Sequence, residues 1–205
     1  MHPKVLSDGG WAVLRRLGSR GWLDSWVLAG GTGLALQIGH RYSEDLDFFH
    51  PDAFEPMTLA NRLAEAGNVS IQSRAPDTLH AMVEGLRLSF LRAQPPLLFG
   101  GTDYRGLVLA DPRDIAVMKV IAIGGRGSRK DFVDLYFHLM GGTTLESVFA
   151  LVRRRFSEVD PNEYHLLKSL VYFEDAEAEP MPRMIRDVDW EEVKERIRDE
   201  VRRFV

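Results

Sequence analysis

The densest run of chemically suggestive residues is Leu28 to Phe49, LAGGTGLALQIGHRYSEDLDFF. Gly30 and Gly31, followed by Thr32, close a short apolar run and open a stretch of helical character. Glycines let backbone amides approach a ligand closely, and a helix N-terminus carries unsatisfied N–H groups and partial positive charge, so such a turn can cradle phosphate. Asp45 and Asp47 follow in an alternating segment, Asp45-Leu46-Asp47-Phe48. Residues two apart on a strand share a face, so both carboxylates could bind one or two divalent cations. Together these parts describe a metal–triphosphate site suited to in-line displacement at phosphorus. Either part alone is weak, since Gly-Gly turns and Asp-x-Asp strands are common, and it is the combination on adjacent elements that carries the inference. Other phosphate motifs fit poorly. There is no Gly-Lys-Ser/Thr ending of a P-loop, and Gly31-x-Gly33-x-x-Leu36 lacks the third small residue of a dinucleotide fingerprint.

A second block lies downstream: Ala110-Asp111-Pro112-Arg113-Asp114-Ile115-Ala116-Val117-Met118-Lys119, then Arg126-Gly127-Ser128-Arg129-Lys130-Asp131-Phe132-Val133-Asp134-Leu135. Taken in order with Gly30-Gly31-Thr32 and Arg41-Tyr42-Ser43-Glu44-Asp45-Leu46-Asp47-Phe48, over residues 25 to 140, it makes the chain resemble the AbiEii family. That family belongs to the DNA polymerase β-type nucleotidyltransferases. The resemblance implies a transferase that moves a nucleoside monophosphate from a nucleoside triphosphate to an acceptor hydroxyl with Mg²⁺ (or Mn²⁺). Many relatives are toxins of type IV toxin–antitoxin or abortive-infection systems, and some modify tRNA ends. A tRNA or protein acceptor and a cognate antitoxin are therefore the implied partners.

Carried over by position, Gly30, Gly31 and Thr32 resemble the triphosphate-binding turn, Asp45 and Asp47 the metal ligands, and Lys119 the lysine that contacts nucleotide phosphate. Lys130 and Asp134 stand four apart, and Asp131 three before Asp134. That spacing equally describes helix-surface pairing worth about 0.2–0.5 kcal/mol per pair. Through the resemblance it reads instead as a cationic wall of Lys119, Arg126 and Lys130 facing Asp45 and Asp47. Asp131 or Asp134 would then orient Lys119 or act on the acceptor. Arg41 and Ser43 match the family motif either as supports for the loop before the acidic segment or as substrate contacts. One departure matters. Relatives commonly carry a third acid on a later strand, where it deprotonates the acceptor, and the matching position here is Ser89. Glu84 is close by but falls at an expected hairpin turn, pointing away. Ser89 therefore motivates an alternative, a catalytically degenerate nucleotide-binding protein on the same scaffold. A small-molecule nucleotidyltransferase is a third reading.

These residues need elements to position them. Trp11, Leu14 and Leu17 recur at helical spacing, Ser25–Ala29 reads as a buried strand, and Thr32–His40 as one or two helical turns. Strands are expected at 45–50, 69–72, 79–83, 86–91 and along Gly106–Leu109, with a helix over 57–66 and a tight hairpin at Glu84-Gly85. From Asp111-Pro112 onward the pattern is helical: to about Gly124, then 128–140, 145–156 and 161–173. An acidic, proline-containing connector, 174–182, precedes a last helix announced by the capping-box pattern Asp189/Glu192. The expectation is an α+β protein: a nucleotidyltransferase-like mixed sheet with flanking helices over 1–110, and a helical domain, 111–205, packed against it.

Composition sets the outer limits. The 205 residues hold 26 Lys+Arg and 30 Asp+Glu, a net charge of −4, which argues against wholesale coating of nucleic acid. No cysteine is present, which removes thiol nucleophiles and thiolate zinc sites and leaves oxygen ligands, hence Mg²⁺, for any metal. No segment reads as a membrane span or secretory h-region, so a cytoplasmic protein is expected. The run Arg153-Arg154-Arg155 could meet RNA phosphates but matches a solvated helix face better.

Overall fold

A computed structural model describes residues 1–65 and 67–205. Two compact units emerge, Met1–Ile38 with Tyr42–Asp111, and Gly39–Arg41 with Pro112–Val205. The short segment Gly39–Arg41 thus belongs with the helical residues although the chain around it builds the sheet.

The first unit is built on a seven-stranded mixed sheet. Its strands are β1 (Val27–Leu28), β2 (Asp45–His50), β3 (Val69–Ala75), β4 (Thr78–Val83), β5 (Leu86–Arg92), β6 (Thr102–Tyr104) and β7 (Leu107–Leu109), in the order β3-β4-β5-β2-β1-β7-β6. Parallel pairing of β2 with β5, and of β1 with β7, is combined with antiparallel pairs elsewhere. Two-residue turns close β4–β5 and β6–β7. At both, Glu84-Gly85 and Arg105-Gly106, the two central residues have positive φ, the type I′ geometry that matches strand twist.

Alternation splits this sheet into two unlike faces. Leu46, Phe48, Leu79, Leu88 and Phe90 are fully buried on one, with Phe48 stacked on Phe90 at 5.2 Å and Trp26 edge-on to Phe90 at 4.9 Å. Helices α1 (Asp8–Gly18), α2 (Gly30–Ile38) and α3 (Pro56–Ala64) add Trp11, Leu14, Leu17, Leu36, Leu59 and Leu63 to the same core. Intervening residues on the opposite face are Asp45, Asp47, Arg87 and Ser89, which register pairing sets side by side. The expected helix over 57–66 is found as α3, beginning one residue earlier; Ala66 lies outside the described residues.

The second unit contains α4 (Pro112–Gly125), α5 (Arg129–Met140), α6 (Leu145–Arg155), α7 (Glu163–Leu170), α8 (Glu174–Glu177) and α9 (Trp190–Phe204). Its start signals differ in part from the sequence reading. Asp189 caps α9 by accepting from the Glu191 amide at 2.8 Å, but Glu192 does not close a capping box; its carboxylate accepts from the Tyr136 hydroxyl. A reciprocal capping box sits instead at Thr144/Ser147, at the start of α6. No single helix among the described residues is long and apolar enough to cross a membrane.

Candidate active site

Within the sheet unit, Gly30 opens α2 at φ +59°, a left-handed conformation that side chains other than glycine avoid. Space makes the same demand. A Cβ on Gly30 would sit 2.5 Å from Asp47 Oδ2, so the turn packs directly against that carboxylate. Asp45 and Asp47 occupy alternate positions of β2 and point to one face, both partly exposed. The Thr32 side chain is buried, bonded to Ser43 Oγ at 2.7 Å and donating to the Asp45 carbonyl. Thr32 and Ser43 therefore pin the start of α2 to the entry of the acidic strand. What this turn offers an anion is its first-turn backbone N–H groups, which an α-helix leaves without intrahelical partners.

Beside the acidic pair, Arg87 Nη1 lies 3.6 Å from Asp45 Oδ1, and the arginine is 62% exposed. A pair this long and this solvated is weak. It leaves the donor set suited to a hard cation: two strand carboxylates with room for phosphate oxygens is how Mg²⁺ is commonly bound. Among the described residues no group of three or more acidic or histidine side chains gathers as a metal site, so the protein would offer an ion here two carboxylates, with water or nucleotide oxygens completing its shell. Glu84, in the β4–β5 turn, accepts from the Asn68 amide at 3.0 Å and pairs with Arg16 at 3.4 Å.

Lys119, Arg126, Asp131 and Asp134 form a cluster with His40 and Arg41 within the helical unit. Lys119 on α4 is 5% exposed, its ammonium 2.7 Å from both Asp131 Oδ1 and Asp134 Oδ2 of α5. Arg41 grips Asp134 through two bonds, Nε to Oδ1 at 2.7 Å and Nη2 to Oδ2 at 2.9 Å, and His40 Nε2 meets Asp134 Oδ1 at 2.7 Å. Arg126 donates to Asp131 Oδ2 at 3.1 Å while staying 65% exposed. Burial alone would pull the Lys119 ammonium down, yet Asp134 and Asp131 outweigh it and hold its pKa above the ordinary lysine value. Burial would push the Asp134 carboxyl up, but Lys119, Arg41 and His40 hold it well below the usual range. His40 is lowered, because desolvation exceeds the pull of Asp134. His40, which from sequence flanks the acidic strand as a surface or supporting group, is fully buried and supports Asp134. The neighbouring Arg129 donates to the Ala176 carbonyl at 2.8 Å and lies 4.7 Å over the Trp190 ring.

A mixed sheet carrying an acidic pair on an inner strand, beside a glycine-opened helix, is a nucleotidyltransferase scaffold. Solved structures agree on the fold. JHP933 from Helicobacter pylori superposes with TM-score 0.56 at 19% identity, covering 98% of this chain and 89% of that one. The nucleotidyltransferase toxin MenT4 from Mycobacterium tuberculosis H37Rv gives 0.53 at 18% identity, over 95% and 81%. The family model described as Nucleotidyl transferase AbiEii toxin, Type IV TA system, matches residues 12–94. An uncharacterised protein of Aquifex aeolicus (strain VF5), aq_aa25, is 35% identical over 200 residues, 94% of each chain. The chain belongs to the AbiEii nucleotidyltransferase family.

Proposed function

We propose that this nucleotidyltransferase moves a nucleoside monophosphate from a nucleoside triphosphate to an acceptor hydroxyl of tRNA or protein, as the cytoplasmic toxin of a type IV toxin–antitoxin pair. The observation that carries the reading is the Asp45/Asp47 pair on β2, with Gly30 held against Asp47 by both its φ and its lack of a side chain. In this reading Asp45 and Asp47 hold Mg²⁺, which when bound neutralises charge on the triphosphate and favours departure of pyrophosphate. The amides at Gly31 and Thr32 meet phosphate oxygens. Within the helical unit, Lys119 is held charged by Asp131 and Asp134, with Asp134 as its orienting partner.

Incubation with each labelled triphosphate, Mg²⁺ and total RNA or protein tests the reading, and the labelled species identifies the acceptor. Ser89 supports a second reading, a nucleotide-binding scaffold without turnover. That reading expects thermal stabilisation growing as RT ln(1 + [L]/Kd) with added nucleotide, and no label transfer.

A further inference from the structure

The face of the sheet that carries Asp47 continues into a row of polar side chains. Ser89 on β5 is the register partner of Asp47 on β2, and His80 on β4 is the register partner of Ser89. Directly paired residues point to one face from strands about 4.8 Å apart, so the three side chains stand shoulder to shoulder across three strands. Ser89 is 6% exposed, and its Oγ lies 3.0 Å from His80 Nδ1; His80 is itself partly exposed. A hydroxyl within hydrogen-bond reach of an imidazole, set beside a carboxylate proposed to hold metal, is the geometry by which a weakly acidic O–H loses a proton.

Resting on the transfer reading above, we propose that Ser89 and His80 form a proton relay serving the acceptor hydroxyl, in the position where relatives carry a third carboxylate. As the acceptor oxygen forms its bond to the α-phosphorus, its proton passes to Ser89 Oγ while the Ser89 hydroxyl proton passes to His80 Nδ1. The bond between the α-phosphorus and the bridging oxygen breaks, and its electron pair leaves with pyrophosphate. The imidazolium then returns one proton to solvent, which its partial exposure permits. Ser89 is thus placed for this role: its side chain is paired with His80 and aligned with Asp47.

Initial-rate transfer, measured at varied nucleotide concentration, tests the relay in wild type, His80→Gln, Ser89→Ala, Ser89→Asp and the double variant of His80→Gln with Ser89→Asp. Glutamine can keep a hydrogen bond to Ser89 but cannot carry a proton, and a melting curve on each variant checks folding. His80→Gln and Ser89→Ala are expected to lower kcat by about 100-fold or more while KM for the nucleotide moves less than about two-fold. With Ser89→Asp the carboxylate takes the proton itself, so adding His80→Gln costs less than about two-fold. Wild-type kcat in His80→Gln overturns the relay while leaving the proposed transfer standing, as does an equal loss from His80→Gln with and without Ser89→Asp. A silent wild type beside an active Ser89→Asp variant overturns the relay in favour of the degenerate scaffold. Silence from wild type and every variant overturns the proposed function, and the relay with it.

Discussion

Gly30 shows how tightly single residues are specified here. Its φ of +59° and the 2.5 Å approach of a Cβ to Asp47 Oδ2 act together. Gly30→Ala is expected to cost about 1–3 kcal/mol in urea unfolding and to displace the Asp47 carboxylate, raising the Mg²⁺ concentration for half-maximal transfer. Arg87 makes the opposite case. Its contact with Asp45 is loose and solvated, so Arg87→Ala should shift stability by less than about 0.5 kcal/mol. Removing that cation should lower the Mg²⁺ midpoint several-fold; an unchanged or higher midpoint would show that Arg87 does not compete with metal for Asp45. Lys119 requires caution in mutagenesis. Its loss would leave Asp131 and Asp134 short of a cation in a buried cluster, so Lys119→Ala is expected to destabilise by about 3–5 kcal/mol as well as to inactivate. Activity loss there is informative only beside a melting curve.

At the scale of elements, α4 and α5 bury titratable groups beside apolar ones such as Val117, Val120, Phe132 and Leu135, which makes stability respond to pH. Burial lowers His138 to about 4, and its Nε2 is buried with no hydrogen-bond partner. His40 is lowered too. The unfolded chain binds protons at these histidines that the folded chain refuses, so stability is full above the ordinary histidine pKa of 6.5 and falls as pH drops from there toward 4. From His138 the loss is at most about 3 kcal/mol, and denaturant unfolding at pH 7 and pH 5 should show most of it in wild type and less in His138→Asn. Much at this scale was legible beforehand. The two-residue turn at Glu84-Gly85 fixes Val83 opposite Leu86, and counting outward already sets His80 opposite Ser89. Asp47 opposite Ser89 was not legible from pattern, since parallel pairing joins segments more than 40 residues apart and only the family resemblance marked it. The strand β6 and the single-turn helix α8 escaped notice for a plainer reason: three or four residues carry too little periodicity. Glu192 misled because its capping-box spacing is real, while the Tyr136 hydroxyl competes for the same carboxylate.

For the whole molecule, a net charge of −4 says little until the charges are located. Lys119, Arg126 and Arg129 are each matched by carboxylates or carbonyls inside the helical unit. The acidic pair of β2 belongs to the sheet unit, with Arg87 beside Asp45. The family and the sheet are therefore readable from the two motifs, whereas the commitment of most of the expected basic wall to internal partners is a matter of tertiary burial that spacing does not encode. The central claim is that Asp45 and Asp47 support metal-dependent nucleotidyl transfer. It is tested most directly by following label from each of the four α-labelled triphosphates into total RNA or protein, with Mg²⁺ or with chelator, in wild type and in the double variant Asp45→Asn with Asp47→Asn. The account predicts transfer from at least one triphosphate, abolished by chelator and reduced by at least about 1000-fold in the double variant. Transfer that persists undiminished in the double variant, or a wild type silent with all four triphosphates, would contradict it.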